Sequence, residues 1–496
     1  MKLLIFTAAI AAQTIAAAQS PWEKEVVYQI FPRSFYSSAG NHIGDMKGIE
    51  QKLGFLHQLG VTAILINPIF DSRLYHNYFA DDFLKVDPTM GSNQDFFAMV
   101  AKAHGLHMKV ILDMEVQYVA DRHPWYTAVA KNPKSPIADH LWREGSAFFG
   151  SKNHWYDRRE VNFTSINPDN PDVKKTILNV FRYWAAPDGK PSHGVDGYRI
   201  DHMMDDLDNK HLKTGMLQHF WLPIEQSVRS LNPKIMFLAE QADWGLGTDM
   251  FTKAKVDSVY AIPLRFLFMT FDRQKIEREM LETAKATPPG KTQFVFIENH
   301  DLERYATAVH SDPALLRLGA VFNLTIKGTP LIYYGQELGM RGTKGNWNSD
   351  GNDIPMRLAY RWSHVIGAKG TADFYRNTGP WTQTGASKDN DGISVEEESG
   401  APGSLFNFYK RLIRLRETHA ALETGSEEIV NTNNPSVLGF DRILRSQKVR
   451  VLLNLSKDIQ TVSLPSILSV DLWTGEPVKA GTVRLSPHSF AIFGEG

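Results

Sequence analysis

The sequence predicts an α/β protein with a (β/α)8 TIM barrel, an inserted subdomain after the third strand and a C-terminal antiparallel β domain. Eight short apolar runs recur along the chain, and several are separated by stretches with a helical period of apolar residues. Near-continuous apolar runs are typical of parallel strands covered on both faces, and eight strand–helix units close such a barrel. The runs occupy residues 26–31, 61–69, 109–114, 195–201, 235–240, 256–262, 294–299 and 330–335.

Two segments depart from the barrel pattern. Residues 117–172 are rich in Trp, Tyr, His, Asn and Pro without a clear helical period, which indicates an inserted subdomain between the third and fourth strands. After residue 422 the chain has short strand-like runs, which indicate a β-sandwich domain over residues 423–496. The catalytic barrel is therefore expected to comprise residues 19–116 and 173–422.

The N-terminus has the features of a secretory signal peptide. Lys2 precedes an apolar stretch, and three alanines at 16–18 match a cleavage pattern. A membrane-spanning helix needs about 20 predominantly apolar residues, and the polar Gln13 interrupts this stretch. We interpret residues 1–18 as a signal peptide cleaved near Ala18. The mature protein is then expected to be periplasmic or secreted by a bacterium, without membrane insertion.

The composition excludes several classes of function. The 54 Lys and Arg residues balance 55 Asp and Glu residues, so the charge gives no reason to expect nucleic acid as a partner. The absence of cysteine excludes disulfides, thiolate metal sites and a cysteine nucleophile. A chain of 496 residues that is 43% hydrophobic is long enough for a large core. The sequence leaves the oligomeric state open.

Polar side chains follow four of the predicted strands at their C-terminal ends, where barrel enzymes carry their functional groups. These side chains are Asp113, Arg199, Asp201, Glu240, His300 and Asp301. A single carboxylate at a strand end is more commonly solvated or a cap, so the prediction depends on four strand ends agreeing. Together such acids suit glycosidic bond cleavage, in which one carboxylate attacks the anomeric carbon and another protonates the leaving oxygen.

The same residues lie in motifs that resemble the α-amylase family of glycoside hydrolases and transglycosylases (glycoside hydrolase family 13). The motifs occur in the family's order and cover most of the chain from residue 26 onward. They are Y-H-N-Y at 75–78, V-D-P at 86–88, G-Y-R-I-D at 197–201, F-L-A-E-Q at 237–241, E-N-H-D-L-E-R at 298–304, G-Q-E-L-G at 335–339 and P-M-R at 355–357. The resemblance implies an oligo- or polysaccharide of α-linked glucose as the substrate.

The resemblance also implies roles for the central residues. Asp201 is the expected nucleophile, Arg199 keeps it ionised, and Glu240 is the general acid and then the general base. Glu240 must begin protonated, so its surroundings should raise its pKa relative to that of Asp201. Asp301 is expected to bind sugar hydroxyls, with His300 beside it. The family retains anomeric configuration, which requires the first two carboxylates to lie about 5–5.5 Å apart.

The remaining predicted substrate contacts are less central. By resemblance, Tyr78 stacks on the sugar and His76 donates a hydrogen bond to it. The other expected substrate-binding residues are Asp113, Tyr118, Arg304 and Trp347. Aromatic side chains that could serve equally as stacking platforms or as core residues are Trp125, Tyr126, Trp155 and Tyr156.

The third-strand motif departs from the family's usual D-x-x-x-N-H. Gln117 stands where an asparagine often binds calcium, and Tyr118 stands where a histidine usually contacts the sugar. The longer glutamine changes the geometry that a tight calcium site requires. We therefore expect no metal site and no required cofactor, with a structural calcium the alternative.

A second departure follows Asp201. Met204, Asp205 and Asp206 stand where many family members have a Lys-His pair near the acceptor side. Met204 either packs in the interior or marks an altered acceptor subsite in which one of the two aspartates binds sugar hydroxyls. Specificity is therefore not transferred from a typical starch-cleaving amylase.

The leading prediction is a retaining hydrolase that cleaves α-1,4 bonds in malto-oligosaccharides, cyclodextrins or related α-glucans through a covalent glycosyl-enzyme. An α-glucosyl transferase or isomerase is the enzymatic alternative, because a sugar can intercept the same intermediate in place of water. A non-catalytic carbohydrate-binding protein is the third reading. Inactive family members typically lose a central carboxylate, whereas this chain keeps Asp201, Glu240 and Asp301.

Overall fold

The computed structural model describes residues 20–495 except 145–146, 149–151, 155–159, 208–212, 384–386, 466–467 and 480. The predicted signal peptide, Trp155 and Tyr156 lie outside the described residues. In the part of the chain that is described, no helix is both long enough and apolar enough to cross a membrane.

Eight parallel strands close a barrel in the described part of the chain, and each overlaps one of the predicted apolar runs. They are β1 (Val27–Ile30), β2 (Ala63–Ile66), β3 (Lys109–Met114), β4 (Gly197–Met203), β5 (Met236–Gln241), β6 (Ser258–Tyr260), β7 (Thr292–Val295) and β8 (Thr329–Tyr333). Each strand pairs with its neighbours in chain order, and β8 pairs with β1 so that Leu331 lies opposite Val27. The predicted barrel is therefore confirmed.

Burial on both faces explains why the strands are apolar without alternation. Successive side chains on a strand point to opposite faces. Leu65 of β2 lies in the cluster that fills the barrel, whereas Ile64 and Ile66 belong to the cluster shared with the surrounding helices.

Helices outside the insertion are α1 (Met46–Leu59), α2 (Asn93–Gly105), α3 (Pro171–Ala185), α4 (Leu222–Leu231), α5 (Ile262–Phe268), α6 (Arg273–Ala286), α7 (Tyr305–Ala308), α8 (Pro313–Thr325), α9 (Val395–Glu398), α10 (Leu405–Thr418) and α11 (Ala420–Thr424).

Local signals set where the helices begin. The side chain of Asp45 accepts a hydrogen bond from the Gly48 amide at the start of α1. At the start of α2, Ser92 and Asp95 form a reciprocal capping box. Such caps satisfy amide groups that have no partner within the helix.

The chain between β3 and α3 forms a small separate layer beside the barrel mouth. It contains a three-stranded antiparallel sheet of Tyr118–Ala120, Glu160–Ser165 and Lys152–His154, together with the helix Pro124–Lys131. Arg143–Glu144 and Ala147–Phe148 form a short hairpin within it. Because Tyr118–Ala120 follows β3 closely, this layer is held next to the functional end of the barrel.

The C-terminal part of the chain is an antiparallel β structure that packs on the barrel. One sheet contains Ser426–Ile429, Val437–Leu444, Gln447–Asn454, Phe490–Gly494 and Val470–Asp471 in that order, and Gln460–Leu464 pairs with Gly481–Leu485. Phe408 of α10 contacts Trp473 and Phe490, with ring centroids 4.8 and 5.6 Å apart. The fully buried Arg442 donates to the Thr325 carbonyl at the end of α8, with a nitrogen–oxygen distance of 2.7 Å.

Candidate active site

The predicted polar residues converge at the C-terminal mouth of the barrel. Arg199 of β4 lies directly opposite Asp113 of β3 in the parallel register. Residues two apart on a strand share a face, so Asp201 projects on the same side of β4 as Arg199. Glu240 comes from the neighbouring strand β5, and Asp301 comes from the segment after β7.

The end of β4 carries a bulge that positions the acid on the next strand. Ile200 and Met203 pair with residues that are only two apart on β5, so β4 contains one extra residue. The extra residue is accommodated at His202, whose φ of 48° lies in the left-handed region. Its amide donates to Oε2 of Glu240 across 3.0 Å, which means that the β4 backbone orients the β5 carboxyl group.

The guanidinium of Arg199 joins three acids. Its Nη1 lies 2.8 Å from Oδ1 of Asp113 and also contacts Oδ1 of Asp201. Its Nη2 lies 2.8 Å from Oε2 of Glu240. Arg199 is only 1% exposed, so these contacts are shielded from water and from salt. The carboxyl groups of Asp201 and Glu240 therefore sit on adjacent nitrogens of one rigid planar group.

A chain of hydrogen bonds fixes the floor of the site. Asn67 Nδ2 and Tyr78 Oη both donate to Oδ2 of Asp113, at 2.9 and 2.8 Å. Tyr78 Oη also lies 2.5 Å from Nε2 of His300. The amide nitrogen of Gln29 lies 2.8 Å from Nδ1 of His300. Because an amide nitrogen can only donate, Nδ1 is the acceptor and Nε2 carries the hydrogen. Burial lowers the pKa of His300 to about 3, so this imidazole is neutral near pH 7.

Asp301 is held ionised by two neighbours. His300 Nε2 lies 3.1 Å from its Oδ2, and Arg357 Nη2 lies 2.9 Å from its Oδ1. Burial opposes ionisation, but the imidazole and the guanidinium together lower the pKa of Asp301 below its usual value. Arg357 is fixed in turn by the His300 carbonyl at 3.0 Å and by the Tyr75 hydroxyl at 2.9 Å.

Burial and Arg199 act in opposite directions on the pKa of both central acids. Burial is the largest cause of the raised pKa of Glu240, which reaches about 7 even though Arg199 lowers it. Burial also raises the pKa of Asp201, and Arg199 again opposes the shift. A protonated Glu240 beside an ionised Asp201 is the arrangement that acid-assisted nucleophilic attack requires.

The family model described as the catalytic domain of α-amylase matches residues 29–425. The chain belongs to the α-amylase family of glycoside hydrolases. Membership of a glucan-acting family implies an oligo- or polysaccharide substrate.

Named relatives in the family include both an amylase and a synthase. "Alpha-amylase 3" of Dictyoglomus thermophilum is 28% identical over an alignment of 474 positions that covers 88% of this chain and 86% of the relative. The trehalose synthase of Thermus thermophilus is 28% identical over an alignment of 546 positions that covers 95% of this chain and 55% of the relative. The crystal structure of the α-amylase from H. orenii matches the fold with a TM-score of 0.78 at 24% identity, over 96% of this chain and 100% of that one.

Two predicted substrate contacts need correction, because their side chains do not reach the cleft. Asp113 is fully buried, and both of its oxygens are occupied by protein groups. Arg304 is also fully buried, where it pairs with Glu298 at 2.9 Å and donates to the Met356 and Tyr334 carbonyls. Both residues support the site from beneath and do not bind sugar directly.

The other predicted substrate contacts lie around the mouth at different depths. His76 and Tyr78 are each 8% exposed, with ring centroids 5.7 Å apart. Tyr118 is equally buried and packs edge-on against Phe79. Trp347 is half-buried and contacts Trp381 edge-on, with centroids 5.6 Å apart. A substrate-binding role for these residues stays a prediction.

The residues at the second departure from the family pattern, which follows Asp201, have packing and hydrogen-bonding roles. Met204 is 1% exposed, as the interior reading predicts. Asp205 Oδ1 accepts from the Leu217 amide at 3.0 Å, and its Oδ2 lies 3.0 Å from Lys253 Nζ. Asp205 therefore already has two protein partners.

The calcium prediction depends on the side-chain amide of Gln117. Its Nε2 donates to the His202 carbonyl at 2.9 Å, and its Oε1 is buried without a hydrogen-bond partner among the described residues. Among the same residues, no group of three or more His, Asp or Glu side chains could hold a metal ion. The absence of a metal site and of a required cofactor stays a prediction.

Sequence reasoning missed Glu115, which lies two residues after Asp113 and directly after β3. Its side chain is buried and interacts with the carboxyl group of Asp201. An acid within an apolar strand end was the available signal.

An apolar face beside Glu240 was also missed. Trp244, which follows β5, stacks on Phe266 of α5 with ring centroids 5.6 Å apart and an interplanar angle of 22°. The two side chains remain 48% and 37% exposed, and they line a small cavity together with Glu240 and Asp301. The signal in the sequence is weak, because Trp244 and Phe266 are 22 positions apart and belong to different elements.

Proposed function

We propose that this chain is a retaining α-glucosidase or amylase-type hydrolase that acts on α-1,4-linked glucans through a covalent intermediate on Asp201. The observation that carries the proposal is the contact of Asp201 and Glu240 with adjacent nitrogens of Arg199. This geometry keeps the two carboxyl groups close, as the separation of about 5–5.5 Å in retaining enzymes requires. The relationship to "Alpha-amylase 3" supports a hydrolase of this family.

In the first step, a carboxylate oxygen of Asp201 forms a bond to the anomeric carbon. The bond from that carbon to the glycosidic oxygen breaks, and the oxygen takes the proton of Glu240. In the second step, Glu240 removes a proton from water while the water oxygen attacks the anomeric carbon. The ester bond then breaks, and both acids return to their starting protonation states.

The surrounding groups support the positive charge that develops on the sugar. Asp113 and Asp201 supply negative charge beneath the anomeric carbon, and Arg199 keeps both correctly oriented. Asp301 offers an acceptor to sugar hydroxyls, and the neutral His300 orients it through the hydrogen on Nε2. Nη2 of Arg357 lies 2.9 Å from Oδ1 of Asp301, so the Asp301 carboxylate is already oriented before the substrate binds.

Transfer to a second sugar is the alternative, and the apolar face of Trp244 and Phe266 favours it. Sugar rings stack on aromatic faces, and this face lies next to the acid that protonates the leaving oxygen. A sugar held there after the first step competes with water for the intermediate. The relationship to a trehalose synthase also supports this alternative.

The test is product analysis with amylose, maltoheptaose, cyclodextrin, pullulan, isomalto-oligosaccharides and sucrose. Shorter products of retained α-configuration, seen by NMR at early times, are expected from the α-1,4 substrates. Longer or relinked products would establish transfer as the main activity. Inverted products would overturn the proposed mechanism, as would a trapped fluoroglycosyl adduct on a residue other than Asp201.

A further inference from the structure

Glu115 has an unusual position for an acid. It lies just after β3, is only 1% exposed and is adjacent to the nucleophile proposed above. Its Oε1 accepts hydrogen bonds from the amides of Gln117 and Tyr118, the latter at 3.2 Å. Met114 lies opposite Ile200 in the parallel register of β3 and β4, so the next residues, Glu115 and Asp201, come side by side and their carboxyl groups interact.

Two carboxyl groups can share a hydrogen bond only if one of them is protonated. Asp201 contacts the guanidinium of Arg199 directly, which favours its ionised form. Burial and the negative charge of Asp201 raise the pKa of Glu115 well above its usual value. Since Oε1 of Glu115 already accepts from two amides, the proton belongs on Oε2, which faces Asp201.

We propose that Glu115 is a positioning residue that donates a neutral hydrogen bond to Asp201 on the side not held by Arg199. The proposal rests on the role of Asp201 as the nucleophile. Two donors, Arg199 on β4 and Glu115 just after β3, then fix the rotation of the Asp201 carboxylate.

The hydrogen bond has consequences for both chemical steps. It stabilises the Asp201 anion before attack, and it stabilises the same anion when the ester bond breaks. Hydrogen bonds to charged groups are about twice as strong as neutral ones. Loss of this donor is therefore expected to reduce kcat by roughly 10- to 100-fold, and the pKa of Asp201 should rise.

Two substitutions at Glu115 separate the donor from the side-chain volume. In Glu115→Gln, the oxygen can still accept from the two amides, and the nitrogen can still donate to Asp201. In Glu115→Met, the length is similar but the donor is lost. We expect Glu115→Gln to retain most of kcat with the same acid limb of the pH profile. Glu115→Met should lose kcat and shift that limb to higher pH.

Glu225→Met is the matched control. Glu225 is also a buried carboxyl group whose pKa is raised, to about 8, but it pairs with Arg229 in α4 away from the site. Its substitution should lower thermal stability without moving the acid limb. Equal kinetics for Glu115→Met and Glu115→Gln would overturn the proposal, as would a downward shift of the acid limb in Glu115→Gln, which would show that Glu115 is ionised.

A spectroscopic test does not depend on whether Glu115→Met folds. At neutral pH, the infrared difference spectrum between wild type and Glu115→Gln should show the carbonyl band of a protonated carboxylic acid. Its absence would overturn the proposal. Failure of the proposed function is a separate outcome, because it would appear as wild-type protein that forms no adduct on Asp201.

Discussion

Single residues in this site owe their chemistry to burial and to one shared cation. Arg199 contacts three acids, yet Glu240 and Asp201 are expected to hold opposite protonation states. Asp201 can be ionised because Arg199 and the proposed donor Glu115 stabilise its anion. Burial raises the pKa of Glu240 to about 7, so a large share of it is protonated near neutral pH.

A bell-shaped dependence of kcat/KM on pH follows from these states. Glu240 must be protonated, so activity should fall as pH rises through about 7. Asp201 must be ionised, so activity should also fall as pH decreases through its own pKa, which lies above the usual aspartate value. Initial rates between about pH 4 and 9 would measure both limbs.

The Glu240→Gln variant checks the assignment of the basic limb. An amide of the same shape cannot supply the proton, so hydrolysis should fall by about 100-fold or more. Substrates with an activated leaving group need little protonation and should be affected much less. A variant that retained the basic limb near pH 7 would contradict the assignment to Glu240.

At the scale of elements, the exposed aromatic pair makes a prediction about sugar binding. Trp244 presents its face beside Glu240, so Trp244→Ala should raise KM for oligosaccharides by about three- to tenfold. Trp381→Ala is the comparison, because Trp381 is buried against Trp347. It should lower the melting temperature more than it changes KM. The reverse pattern in steady-state kinetics and thermal melts would contradict this division.

The loop after β3 makes a prediction about calcium. The Gln117 amide nitrogen donates to the His202 carbonyl, and the longer side chain changes the geometry that a tight calcium site requires. Chelation with EDTA is therefore expected to change neither the melting temperature nor kcat. Gln117→Asn restores the residue that the family often uses. It tests whether the longer side chain is the reason that calcium is not required. A wild-type melting temperature that falls on chelation and recovers with calcium would contradict the prediction.

At the scale of the whole molecule, the barrel and the C-terminal sheet share one continuous apolar cluster. Leu412 of α10 and Phe440 of the sheet both belong to it and are fully buried. Arg442 adds a polar connection from the sheet to the end of α8. The two parts are therefore expected to unfold together.

Phe408→Ala tests this coupling. It removes the ring that contacts Trp473 and Phe490, and it should lower the free energy of unfolding by about 3 kcal/mol or more. Denaturant titrations followed by tryptophan fluorescence and by activity should give coincident transitions in wild type and variant. Activity that persisted after the fluorescence transition would show that the barrel is stable alone.

The sequence alone determined the barrel and the place of its main acids. Eight apolar runs are enough to indicate parallel strands, because burial on both faces removes the usual alternation. The ends of parallel strands meet at one mouth, so Asp201 and Glu240 could be placed together before any coordinates were known. The family motifs added the expected roles of these acids.

Only the tertiary structure decided how the side chains are connected. Arg304 lies beneath the site and not in the cleft, because its partners include Glu298 and carbonyls from distant segments. The importance of Glu115 depends on its contact with Asp201, 86 positions later in the chain. Exposure, hydrogen bonding and pKa are properties of neighbours in space, and those neighbours are chosen by the closed barrel and not by local sequence.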